Sequence, residues 1–144
     1  MARQTKEIVI NAPADKVFSY IADLPRHPEW ALHPLRITAN ANASTAVGST
    51  FRSLGHQFGR DNEDEVTVKE SIPNQRFVFE SSGKSGIFRH EFELQTSDGA
   101  TRLRKSFEPV SLPLMGKLMM PLVSMMLIPK ALTSDLQKIK SKLE

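Results

Sequence analysis

Two polar side chains, His90 and Lys105, occupy positions where the surrounding alternation calls for apolar residues. In Phe88-Arg89-His90-Glu91-Phe92-Glu93-Leu94 every second residue is aromatic or aliphatic except His90, and in Leu103-Arg104-Lys105-Ser106-Phe107 the middle of the apolar set is Lys105. A histidine, with an ordinary pKa of about 6.5, suits proton transfer beside a ligand carbonyl, and a lysine can hold or polarise that oxygen. Two readings stand side by side. Either the pair lines a mostly apolar cavity and orients the polar end of a ligand, or a strand end or bulge returns one or both to solvent.

Other chemistries find little support. The 144-residue chain has no cysteine, which removes disulfides, thiolate nucleophiles and thiolate metal sites, and fits a reducing compartment. His27 and His33 stand six apart in a proline-rich stretch without an evident third ligand, so no metal site is expected. The seven glycines are scattered singly and make no phosphate loop; HExxH and GxSxG are absent. Nineteen basic against 16 acidic side chains, spread along the chain, give +3, too even a distribution for a nucleic-acid partner. With 40% hydrophobic and 24% charged residues, the composition is that of one ordinary globular domain. The N-terminus carries no apolar stretch of signal-peptide type, so a cytoplasmic location is expected and the sequon at Asn42 carries no meaning.

The elements that must position His90 and Lys105 follow from periodicity. Residues 5–11 alternate and read as a strand that Ala12-Pro13 stops. Asp15 then opens a helix with Val17, Phe18, Tyr20 and Ile21 on one stripe, and Pro25 to Pro34 reads as a helical turn and a loop. Six further strands are predicted near 35–40, 49–58, 62–72, 75–82, 86–96 and 100–108, with turns at 46–48, 59–61, 73–74, 82–84 and 97–99. Phe77 and Phe79 share the dry face with the His90 and Lys105 sets. Glu91 and Glu93 are expected to face Arg102 and Arg104 across a hairpin on the wet face.

A sheet with one apolar face needs a cover, and the C-terminus supplies it. Leu118, Leu122, Met125, Leu132, Leu136, Ile139 and Leu143 recur at helical spacing, interrupted in the stripe by Pro129. A continuous helix from 118 to 143 would run about 39 Å, with Pro121 and Pro129 expected to kink or interrupt it. Residues 114–128 are apolar nearly all round but too short to span a bilayer. They hold five of the six methionines, adaptable side chains that suit a cavity mouth, a core, a partner chain or a lipid surface.

The stretches IVINAPADKVFSYIADLPRHPEW, VGSTF, EVTVKESIPNQRFVFES and GATRLRKSFEP, followed by the terminal helix, resemble the START-like (SRPBCC) proteins of the polyketide cyclase/dehydrase and lipid-transport type. Ile10, Ala12, Pro13, Val17, Phe18, Asp23 and Trp30 carry the pattern, which marks architecture more than chemistry. The resemblance implies an α+β helix-grip fold over residues 1–144: a seven-stranded curved antiparallel sheet wrapped around a long C-terminal helix, with a cavity between them. It implies a container for a lipid, quinone or polyketide that needs no cofactor, or else a cofactor-free cyclase or dehydratase. On the leading reading Phe77, Phe79, Phe88, Phe92, Leu103, Phe107, Met119, Leu122 and Met126 form apolar wall. Trp30 sits at a rim, and His90 and Lys105 anchor the ligand or, in an enzyme, act as base and electrophile. An interaction module that docks a partner, a membrane or a second copy through the Met-rich helix is the third reading.

Overall fold

The computed structural model describes residues 3–31, 35–57 and 60–144. Strand β1 (Gln4–Ile10) leads through Pro13 into helix α1 (Ala14–Ile21) and a 3-10 turn (Leu24–Glu29). Strands β2 (Leu35–Ala39), β3 (Thr50–Gln57), β4 (Arg60–Ile72), β5 (Arg76–Gly83), β6 (Gly86–Ser97) and β7 (Ala100–Ser111) follow, and helices α2 (Leu114–Met126) and α3 (Ile128–Leu143) end the chain. The seven strands form one antiparallel sheet in the order β1-β7-β6-β5-β4-β3-β2, so the first strand pairs with the last. The strands expected from alternation are all present within a few residues; the turn expected at 59–61 and His33 involve Gly59 and the stretch 32–34, which lie outside the described residues.

Turn chemistry explains the hairpins. Asp98 and Gly99 both adopt left-handed backbone, at φ 49° and 82°, which matches the right-handed twist of β6 and β7 and closes them in two residues. The β5–β6 turn leaves through Gly86 at φ 127°, where a Cβ would collide with the Ser111 carbonyl oxygen.

The sheet has the expected dry face. Phe77, Phe79, Phe92 and Leu103 are at most 1% exposed, packed with Ile10, Val17, Ile21 and Trp30 in one core. Helix α3 covers this face, burying Ile128, Leu132, Leu136, Ile139 and Leu143 against β1 and β7. The wet face departs from expectation in its pairing. Glu93 does lie opposite Arg104 in register, yet Arg102 and Arg104 turn to Glu7 of β1. Glu91 and Glu93 are claimed instead by Arg76, and Glu91 also by Arg89 and Arg3. Neighbours outside the hairpin bring in the competing charges: Glu7 on β1 takes the arginines, and Arg76 on β5 and Arg3 just before β1 take the glutamates.

At the C-terminus the helix is interrupted just ahead of Pro129, as expected, and not at Pro121: α2 and α3 meet at a 54° bend at Leu127. Pro129 lacks the N–H that would bond the Met125 carbonyl and its ring crowds that turn, so a break just ahead of it is the expected response. Helix α2 runs on through Pro121. The bend directs α2 away from the line of α3, and none of its residues is buried.

Candidate functional site: a buried ion pair in an aromatic interior

Register places the predicted polar residues. Lys105 on β7 lies opposite Phe92 on β6, which lies opposite Phe77 on β5; one step along, Phe107, His90 and Phe79 form the parallel row. All six point to the interior because alternation keeps one face inward. His90 stacks on Phe79 at 4.6 Å between centroids and takes Phe107 edge-on at 5.2 Å.

Two other elements complete the cluster. The 3-10 turn holds His27 and Trp30 three residues apart, one above the other, so their rings stack at 4.0 Å and 11°. Trp30 is fully buried rather than at a rim, and meets Phe92 edge-on at 5.7 Å. Helix α3 contributes Asp135. Its Oδ2 accepts a 2.7 Å hydrogen bond from Lys105 Nζ, which also stands 4.7 Å over the Trp30 ring. Lys105 and Asp135 are 2% and 7% exposed, so the ion pair and the cation–π contact together replace the water that both charges lose.

The cluster is incompletely satisfied. Trp30 Nε1, His27 Nδ1, His90 Nδ1 and Asp135 Oδ1 are sealed from solvent without a hydrogen-bond partner. Buried polar groups normally find partners, and each orphan costs about 1–3 kcal/mol. Burial, and then the positive charge of Lys105, pushes the His90 pKa down to about 3. The same two causes, joined by His90 itself, hold His27 well below its usual range. Both rings are therefore neutral near pH 7, and each offers one N–H and one lone pair. The set combines a cation, an indole N–H, two neutral imidazoles and a free carboxylate oxygen on an otherwise aromatic wall. Such a set can hold a ligand oxygen by donated hydrogen bonds and a hydroxyl by an accepted one.

Of the residues expected at a site, Trp30, Phe77, Phe79, Phe92, Leu103 and Lys105 are deeply buried together, while Phe88, His90 and Phe107 are half-buried. Phe88 stacks on Phe107 at 5.5 Å, so this half-buried trio runs from the surface toward Lys105. Met119, Leu122 and Met126 do not join them; they are 51%, 62% and 64% exposed on α2, because the bend at Leu127 carries that helix off the sheet. Two surface grooves, of about 620 and 740 Å³, lie elsewhere: Ala14, Asn74, Gln75 and Leu94 line one, and Leu35, Leu54, His56 and Lys84 line the other. Among the described residues no three His, Asp or Glu side chains are placed to hold a metal ion.

Sequence reasoning missed His27 and Asp135 as members of the site. Asp135 had a legible signal: it stands three residues after Leu132 and four before Ile139, inside the apolar stripe of α3. His27 had a weaker one, its i, i+3 spacing to the only tryptophan.

A family model described as "Polyketide cyclase / dehydrase and lipid transport" matches residues 1–144. The chain belongs to this family. Its fold is the helix-grip arrangement of START-like proteins, and similar solved structures agree over nearly the whole length. TTHA0849 from Thermus thermophilus superposes with a TM-score of 0.77 at 17% identity, over 99% of this chain and 97% of that one. The Zhui aromatase/cyclase from Streptomyces sp. R1128 gives 0.76 at 15%, over 99% and 93%. CV1439 from Chromobacterium violaceum gives 0.72 at 13%, over 99% and 96%. At such identities the likeness speaks for the fold alone. No curated protein matches the sequence. Membership in the polyketide cyclase/dehydrase and lipid-transport family supports binding of a hydrophobic small molecule or cyclase chemistry, without choosing between them.

Proposed function

We propose that this family member binds an apolar, ring-bearing small molecule that carries a carbonyl or phenolic oxygen, and holds that oxygen at the Lys105–Trp30–Asp135 cluster. The supporting observation is the concentration of four unpartnered polar atoms around one buried ion pair in an aromatic interior. A plain structural core would tend to pair or omit such groups. On this reading Phe88, Phe107 and His90 form the entry, with Phe79 and Phe92 as ring-stacking wall and Lys105 and Trp30 Nε1 as donors. The aromatic side chains now fill that space, so ligand entry requires them to part or α2 and α3 to shift.

Binding is favoured over catalysis by His90 itself. A general base works best with a pKa near the operating pH, and burial beside Lys105 holds His90 near 3, too weak to take a proton from carbon.

Trp30, the only tryptophan, makes a direct reporter. Titration with 2-naphthol and with naphthalene, followed by Trp30 fluorescence, is expected to show the phenol binding about tenfold more tightly. In Lys105→Met/Asp135→Leu, which removes both charges together, that preference should vanish while naphthalene still binds. Equal affinity of the two probes for the wild-type protein, or no binding of either, would refute the assignment.

A further inference from the structure

The Met-rich segment is placed where neither the core nor the proposed ligand uses it. On α2, Met115, Leu118, Met119, Leu122, Met125 and Met126 are 51 to 81% exposed. At about 100° per residue they fill a continuous arc of about 120° on one side of the helix. The opposite side, Gly116, Met120, Val123 and Ser124, is half-buried, and Ser124 O accepts a hydrogen bond from Gln4 Nε2 at 2.9 Å. An uninterrupted apolar surface of this kind is rare on a protein that has nothing to cover it.

Charge decides what covers it. No acidic residue occurs between Glu108 and Asp135, whereas Lys117 and Lys130 are both exposed in that span, and among the described residues neither makes an ion pair. A second copy seated on the same face by two-fold symmetry would bring together two segments that carry lysines and no acid to answer them. A bilayer with anionic headgroups answers both features, since apolar side chains enter the acyl boundary and lysines stay at headgroup level. No single helix among the described residues is long and apolar enough to cross a membrane. Thirteen residues span about 20 Å, so α2 fits in the interface plane.

We infer that α2 is a docking surface for an anionic lipid bilayer, with the Met and Leu arc inserted and Lys117 and Lys130 against the headgroups. Leu127 then becomes the joint between a membrane-held helix and α3, which carries Asp135 to Lys105 eight residues on. The inference stands apart from the ligand assignment above.

Co-sedimentation with vesicles of phosphatidylcholine alone, and of phosphatidylcholine and phosphatidylglycerol in equal parts, tests it. The wild-type protein should pellet with the mixed vesicles and much less with the neutral ones. Leu118→Ser/Leu122→Ser/Met125→Ser should lower the affinity at least about a hundredfold. Lys117→Gln/Lys130→Gln, surface changes with no burden on folding, should lower it about fivefold per lysine. Because the chain has no cysteine, Met125→Cys can carry a single environment-sensitive fluorophore, expected to shift to the blue on mixed vesicles. The inference falls if the wild-type protein fails to pellet, or if the label does not shift. It also falls if sedimentation equilibrium finds a dimer that the triple serine variant breaks, since a second copy would then cover α2.

Discussion

Lys105 Nζ donates to Asp135 Oδ2 at 2.7 Å across the gap between β7 and α3, beneath the face of Trp30. This contact ties the sheet to the helix that covers it, using charges where the neighbouring positions use leucine and isoleucine. Removing one partner leaves the other buried and unpaired. Asp135→Asn and Lys105→Met are each expected to lower stability by about 3–5 kcal/mol in urea unfolding, whereas Lys105→Met/Asp135→Leu should lose far less than the sum.

Acid should loosen the same region. His27 and His90 have folded pKa values below their unfolded value of about 6.5, so the unfolded chain binds more protons between the two. Their contribution is therefore fully present above about pH 6.5 and is lost as pH falls toward about 3, the folded value of His90. The urea midpoint should fall between pH 7 and pH 4.5, and the fall should be shallower in His27→Gln and in His90→Gln, which have no ring to protonate. Carboxylates elsewhere titrate in both proteins, so the difference between wild type and variant isolates the histidines.

The two terminal helices should respond oppositely to truncation. Leu132→Ala and Leu136→Ala remove side chains that are 2% exposed and should cost about 2–5 kcal/mol each. Leu118→Ser and Met125→Ser, at positions 70% and 81% exposed, should change stability by less than about 0.5 kcal/mol. Thermal unfolding of the four variants makes the comparison; a large loss at 118 or 125 would mean that α2 is packed in solution.

Glycine replacement separates strain from collision. Gly99→Ala meets open space at φ 82° and should cost about 1 kcal/mol for the left-handed backbone alone. Gly86→Ala, at φ 127° and aimed at the Ser111 carbonyl, should cost about 3 kcal/mol or more and fray the β5–β6 turn. Amide hydrogen exchange at Ile87 and Phe88 would report the fraying.

The strands and their inward faces were legible in the sequence, because a period of two assigns every residue of a strand to one side as soon as one side is apolar; whether Lys105 stayed inside or returned to solvent was left open, and the structure buries it. Phe77, Phe79, Phe92 and Leu103 could hardly go elsewhere. Pairing between distant elements was not legible in that way. Glu91 met Arg76 and Arg3 rather than its expected hairpin partners, and Asp135 met Lys105, because side-chain partners are chosen by whichever elements fold onto the same few ångströms. The sequence alone could count five clustered methionines and mark Pro129 as a breaker. Where the methionines went depended on the direction of a 54° bend, and only packing of α3 on β1 and β7 set that direction. Local patterns follow from covalent geometry within a few residues, whereas the site and the exposed helix arise from contacts between elements far apart in the chain, and those exist only once the chain has folded.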